Sequence, residues 1–172
     1  MSALASKSTA QEQSTANARI GVRIAGLADR ESLVSLVPQS AAFGLPTWRD
    51  PQRMLAAEID LIGSILASPR TDAVLMIAED GHSTPHGFIR MHAATDCYTH
   101  ERHGHVAQIV LAHGPRALPT AQALIAAAEE WTRSRGYRVL TLSEFWPNHP
   151  GRQLCKQLGF VEETVKYRKA VR

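Results

Sequence analysis

The sequence predicts a mixed α/β fold: a central mixed, mostly antiparallel sheet with helices on both faces. Three observations predict it. Short apolar runs of strand length alternate irregularly with helical stretches, in the order β-α-α-β-β-β-α-β-α-β. A strand-turn-strand pattern surrounds Asp80-Gly81, which implies an antiparallel hairpin. A long amphipathic helix then separates two later strands, so the order is neither all-β nor the strict alternation of a doubly wound sheet.

Each element has a local reason. Arg19 to Ile24 alternates, with Ile20, Val22 and Ile24 on one side, and reads as the first strand. Asp29 is placed to cap a helix with Leu33, Leu36 and Val37 on its apolar side, and Pro38 is placed to stop it. Ala41 to Arg49 is a loop. Asp50 precedes a second helix in which Met54, Leu55, Ile59, Ile62 and Leu66 recur at helical spacing, with Pro69 just beyond. Ala73 to Glu79 and Gly87 to Ala93 form the hairpin. Ala94 to Gly104 is polar and reads as a loop, and Val106 to Ala112 is the next strand. From Ala117 to Arg135 the stripe Ala121, Leu124, Ile125, Ala128 and Trp131 marks the clearest helix, ended by Gly136. Arg138 to Leu142 is a strand, Asn148 to Leu158 a short helix closed by Gly159, and Phe160 to Tyr167 a last strand.

Composition narrows the functional classes. The chain has 172 residues, 44% hydrophobic and 20% charged, an ordinary globular balance. Residues 1–18 are rich in Ser, Ala, Thr and Gln and read as a flexible tail, leaving 19–172 as one domain. The net charge of +3 is scattered without a basic run, so no nucleic-acid partner is expected. No apolar stretch approaches the ~20 residues of a membrane span, and no secretory h-region opens the chain. Two isolated cysteines, Cys97 and Cys155, suit free thiols in a reducing, cytoplasmic setting.

Chemistry is expected at the loop His113 to Thr120, between a buried strand and the N-terminus of the long helix. The first turn of a helix offers unpaired N–H groups and a positive dipole end, and this loop carries Arg116 and no acidic residue. An unperturbed imidazole titrates near neutral pH, so His92 and His113 would serve as bases if they face a cleft. His100, His103 and His105 cluster in sequence, but no cysteine or carboxylate constellation accompanies them, and no metal site is expected.

The segment VAQIVLAHGPRALPTAQALIAAAEEWTRSRGYRVLTLSEFWPNHPGRQLCKQLGFVEETVKYRK resembles the acetyl-coenzyme A half of the GNAT superfamily of N-acetyltransferases. Ala123 to Arg133, Gly136-Tyr137, Asn148 and Leu158-Gly159-Phe160 fall in register with that pattern. The resemblance implies a GNAT fold with six to seven strands and acetyl-CoA as co-substrate, held between the fourth and fifth strands. It implies cofactor contacts from Val110 and Leu111, from the turn of Arg116, Ala117, Leu118, Thr120, Ala121 and Gln122, and from Asn148. It implies direct attack by a primary amine of a small molecule or peptide, through proximity and general acid–base catalysis. The implied catalytic positions are Gln108, where relatives often have a carboxylate, and Cys155, where they often have Tyr. Glu144 is the preferred substitute base. Phe43, Trp48 and Tyr98 are the expected acceptor-pocket residues, and the last strand could extend a sheet across a homodimer.

The chain departs from the pattern at Pro119, where the phosphate loop has Gly, because proline has no N–H to donate. Gln108 cannot act as a base at neutral pH. These departures define the alternative, a catalytically weak or silent GNAT-fold protein that acts by binding a ligand.

Overall fold

The computed structural model describes residues 19–171. The tail expected over 1–18 lies outside the described residues. Strand β1 (Gly21–Ile24) is followed by a 3-10 turn (Leu27–Asp29), helix α1 (Arg30–Leu36) and a second 3-10 turn (Val37–Ala41). Helix α2 (Pro51–Ala67), strands β2 (Ala73–Glu79), β3 (Pro85–Thr95) and β4 (Arg102–Leu111), helix α3 (Ala117–Ser134), strand β5 (Leu140–Leu142) and helix α4 (His149–Gln157) complete it. The sheet runs β1-β2-β3-β4-β5. The first four strands are antiparallel neighbours, and β5 joins β4 in parallel.

The sheet separates two apolar layers. On one face α3 packs Leu124, Ile125, Ala128 and Trp131 onto Met76, Ile89, Met91 and Val106. On the other, Leu33, Leu36 and Val37 near α1 and Ile62 and Leu66 of α2 cover Leu75, Ile77, Phe88 and Val110. The alternation of β2 and β3 thus feeds both layers, as expected for strands covered on both sides. No helix among the described residues is long and apolar enough to cross a membrane.

Local chemistry explains the boundaries. The Asp50 carboxylate accepts from the N–H groups of Gln52 (2.9 Å) and Arg53 (3.1 Å), and Pro51 occupies the first helical position of α2. Gly136 (φ 74°) and Gly159 (φ 87°) take the left-handed conformation that closes α3 and α4.

Four expectations need correction. Asp29 does not cap α1. Its carboxylate accepts from the Gly26 N–H (2.7 Å) and from Arg23 (2.7 and 2.8 Å), which holds it well below the usual carboxylate range. Pro38 does not end the helical path, because a 3-10 turn accommodates it at its start. The polar stretch 94–104 is mostly strand: Ala93, Ala94 and Thr95 pair with Gly104, His103 and Arg102, and only 96–101 form the turn.

The last strand does not form, so the sheet has five strands rather than six or seven. Val161, Val165 and Tyr167 are 89%, 64% and 90% exposed. The segment is dominated by charge, and Glu162 pairs back onto Arg152 (2.6 Å) and Lys156 (3.6 Å) of α4. That contact draws the chain along the helix instead of beside β5, and the strand on which the homodimer expectation rested is absent.

Candidate active site

The distinctive feature of the sheet is a split. β4 and β5 pair only at Gly104–Leu140, His105–Thr141 and Val106–Leu142. Beyond Val106 the ladder with β3 slips by one residue: Met91 faces Val106 but Arg90 faces Gln108, so Ala107 is a bulge. The bulge reverses which peptides point where. The Gly104 N–H donates to the Val139 carbonyl on the β5 side (3.0 Å), whereas the Ala112 N–H donates to the His86 carbonyl on the β3 side (2.8 Å). Counting back in twos from Ala112, Val110 and Gln108 aim their peptides at β3. Ile109 and Leu111 therefore aim theirs into the split. Of the two positions expected to meet the co-substrate, Leu111 turns its peptide into the split, whereas Val110 turns its peptide toward β3 and Ile109 takes the open edge.

One face of the split carries a polar row. Phe88 and Val110 pair at its apolar end, Arg90 and Gln108 next, and His92 and His105 beyond them. The two imidazoles meet edge to face, 5.2 Å between centroids. The His105 Nδ1 lies 2.8 Å from the Thr141 hydroxyl of β5, which fixes the ring one rung before the last β4–β5 pair, Val106–Leu142. Burial pushes both imidazoles below their usual range, and charge nearby (Arg90 for His92, His92 for His105) pushes in the same direction. Both are therefore neutral at pH 7. Glu58 reaches this row from α2, 4.0 Å from Arg90.

At the start of α3 the expected phosphate turn is only partly available. The Ala117 N–H donates to the Gly114 carbonyl (3.1 Å), and Pro119 has no N–H, which leaves the first-turn donor of Leu118. Thr120 and Ala121 are fully buried, with their side chains turned into the protein. Gln122 is exposed on the helix surface.

Arg116 points back to the β2–β3 hairpin. Its Nη1 donates to Asp80 Oδ2 (2.6 Å), and His86 Nε2 lies 3.0 Å from that oxygen and 2.8 Å from the guanidinium. Asp80 also accepts from the N–H groups of His82 (2.9 Å) and Thr84 (3.1 Å). His86 first, with the two backbone donors and Arg116, holds this carboxyl well below the usual range. Folded-state stability from Asp80 is thus present above its unfolded pKa near 4 and is lost as pH falls below it. Asp80→Asn should lower Tm at pH 7, and the gap to the native protein should shrink by pH 2 to 3 in scanning calorimetry.

The remaining expected residues separate. Glu144 is partly buried at the head of α4, where its carboxylate accepts from the Phe145 N–H (2.6 Å) and burial pushes its pKa up. Asn148 caps α4 through the Gly151 N–H (3.0 Å). Burial pushes the Cys155 thiol up to about 11, so it stays protonated at neutral pH. Phe43 packs edge-on against His113, 5.5 Å between centroids, beside the loop that leads into α3. Trp48 is 55% exposed and lies under the Arg168 guanidinium.

Tyr98 sits at the tip of the β3–β4 hairpin, 89% exposed. Six strand residues, roughly 20 Å, separate that end of β4 from Gln108, so Tyr98 does not border the split. Glu58 and Arg90, which the sequence does not single out, join His105 in this row. The pairing of His92 with His105 depends on the register set by the β3–β4 turn, which no local signal in the sequence reports.

The sequence matches the acetyltransferase (GNAT) family over residues 38–160. The chain belongs to this family. Among solved structures, an aminoglycoside 6'-N-acetyltransferase from Acinetobacter haemolyticus is similar at 16% identity, covering 88% of this chain and 99% of that one, with a TM-score of 0.66. The structure of AAC(6')-Iy in complex with the bisubstrate analogue CoA-S-monomethyl-acetylneamine is similar at 20% identity and TM-score 0.64, with coverage of 88% and 99%. A transcriptional regulator from Bacillus halodurans has the same fold at 15% identity and TM-score 0.65, covering 87% and 99%. At these identities the likeness is one of fold. Curated protein sequences contain no significant match to the chain.

Proposed function

We propose that this protein transfers an acetyl group from acetyl-CoA to the primary amine of a small molecule, inside the β4/β5 split. The observation that carries the reading is the neutral, half-buried His105, one rung before the β4–β5 ladder ends and the peptide edge of Ile109 and Leu111 opens. The split fits the thioester end of the co-substrate. Its two peptide N–H groups are preorganised donors for the oxygen on which charge develops during acyl transfer. The pyrophosphate end fits less well, with Leu118 as the remaining first-turn donor and Arg116 held by Asp80.

In this reading His105 Nε2 removes one proton from the acceptor ammonium, and Thr141 holds the ring in place. The freed amine nitrogen bonds to the acetyl carbon as the carbon–sulfur bond breaks. The nitrogen's second proton passes to solvent, and the departing thiolate gains one from the protonated Cys155, its candidate donor, which solvent then reprotonates. Glu144 serves α4 in this scheme rather than the acceptor. The free thiols of Cys97 and Cys155 suit a reducing cytoplasm.

Isothermal titration with acetyl-CoA, followed by thiol-release assays against amines, tests the proposal. Saturable binding with turnover is expected. No binding at millimolar acetyl-CoA would leave the second reading, a GNAT-fold protein without transfer activity, which the Pro119 and Arg116 geometry favours. Pro119→Gly restores an N–H at the helix N-terminus. A hydrogen bond to a charged phosphate contributes about 1.5 kcal/mol or more, so acetyl-CoA should bind about tenfold tighter by calorimetry.

A further inference from the structure

Three polar atoms on the same face of the split are buried and have no hydrogen-bond partner: Glu58 Oε2, Arg90 Nε and Gln108 Oε1. Arg90 and Gln108 are cross-strand neighbours, and Glu58 Oε2 lies 4.0 Å from Arg90 Nη2, beyond hydrogen-bond reach. An ion pair held out of water without hydrogen bonds is costly, because desolvation of both charges is not offset. Burial lowers the Arg90 pKa, in keeping with that cost. Yet the side chains of Arg90 and Glu58 keep 17% and 19% of their surface exposed through their other atoms, so the three buried atoms lie just beneath the surface and a side-chain rotation brings them to a ligand. The unmet groups are two acceptors and one cationic donor.

We infer that the acceptor is an amino acid-like zwitterion whose ammonium is received by Glu58 and Gln108 and whose carboxylate is received by Arg90. The inference rests on the acetyl-transfer reading and names the substrate class for that same site. An ammonium brings three donors, which the Glu58 and Gln108 oxygens accept. A carboxylate beside it accepts from the Arg90 Nε–H. The 4.0 Å separation of the protein charges matches a ligand whose opposite charges sit on one carbon or on neighbouring carbons. His105 lies one rung further along the row, where it meets the ammonium proton. A polyamine or aminoglycoside would instead bring added positive charge against Arg90, with no anion to pair it.

The test uses the full chain and three probe sets: the standard α-amino acids, their carboxamides, and spermidine. Acetyl-CoA binding is measured first by calorimetry, then kcat/KM for each probe. At least one α-amino acid should be preferred over its own carboxamide and over spermidine by about tenfold or more, the worth of one charged hydrogen bond. Arg90→Gln should collapse that preference to within about threefold, chiefly through KM. Because removing one member of a buried pair can unfold the chain, the native-protein panel is decisive without the variant.

Carboxamides or spermidine used as well as amino acids would overturn the inference and leave acetyl transfer intact. So would intact acetyl-CoA binding with no amino acid turned over. Failure of acetyl-CoA to bind would instead overturn the acetyl-transfer reading, and this inference with it.

Discussion

Replacing His105 with Gln is expected to lower kcat/KM by about 10²- to 10⁴-fold, the usual contribution of a positioned general base. Glutamine keeps a polar contact available to the Thr141 hydroxyl and disturbs no apolar packing, so Tm should change little. The pH profile is the sharper readout. Burial, then the neighbouring His92, pushes His105 below 6.5, so the native kcat/KM should rise with pH through an apparent pKa under 6.5 and level off by pH 7. The variant should lose that limb. His92→Gln removes one of the charges that lower His105, so its limb should move toward higher pH with a much smaller loss of rate. Activity of His105→Gln within threefold of native, with the same limb, would remove His105 from the reaction.

That prediction could not have been written from the sequence, and the reason is geometric. His105 was visible as one of three clustered histidines, and His92 as a base if it faced a cleft. Neither could be oriented, because the strand pairing of residues 93–95 with 102–104 lies in a stretch too polar to signal strand. The Ala107 bulge then shifts every later residue by one, which moves the split-facing peptides to Ile109 and Leu111. Glu58 is one of several polar residues on α2, and only the docking of that helix selects it.

Elements whose evidence is local were legible. The apolar stripe of α3, the Asp50 cap of α2 and the glycines closing α3 and α4 each fix their own structure over a few residues. Family pattern carried the fold further than periodicity alone, but it also implied a final strand. There the local sequence, with Glu162, Glu163, Lys166, Arg168 and Lys169 in one short run, gives the sheet no apolar face to hold. Arg116 shows the same limit in the opposite direction. It stands where a phosphate-binding residue is expected, and its partner, Asp80, lies 36 residues earlier in the chain.

Phe88→Ala should be the most damaging single change to stability. Phe88 is fully buried at the middle of β3, under α1 and α2, among Leu33, Ile62, Leu75, Ile77 and Val110. Truncation removes the ring's transfer free energy and leaves a cavity that a sheet cannot collapse to fill, a loss of about 3–5 kcal/mol. Against a typical total of roughly 5–15 kcal/mol, that is a large share, and Tm should fall by about 10 °C or more. Activity should fall with it below the new Tm, because Phe88 and Val110 form the rung that supports Arg90 and Gln108. Val161→Ala and Val165→Ala supply the comparison. Both side chains are exposed, so denaturant unfolding should place each variant within about 0.5 kcal/mol of native. A final strand paired to β5 would turn Val161 and Val165 to the same face of the sheet, and with that face against the core both changes would cost about 1 kcal/mol or more, at about 25 cal/mol per Å² of apolar surface. Unfolding curves for the three variants therefore decide both where the core lies and whether the sheet ends at β5.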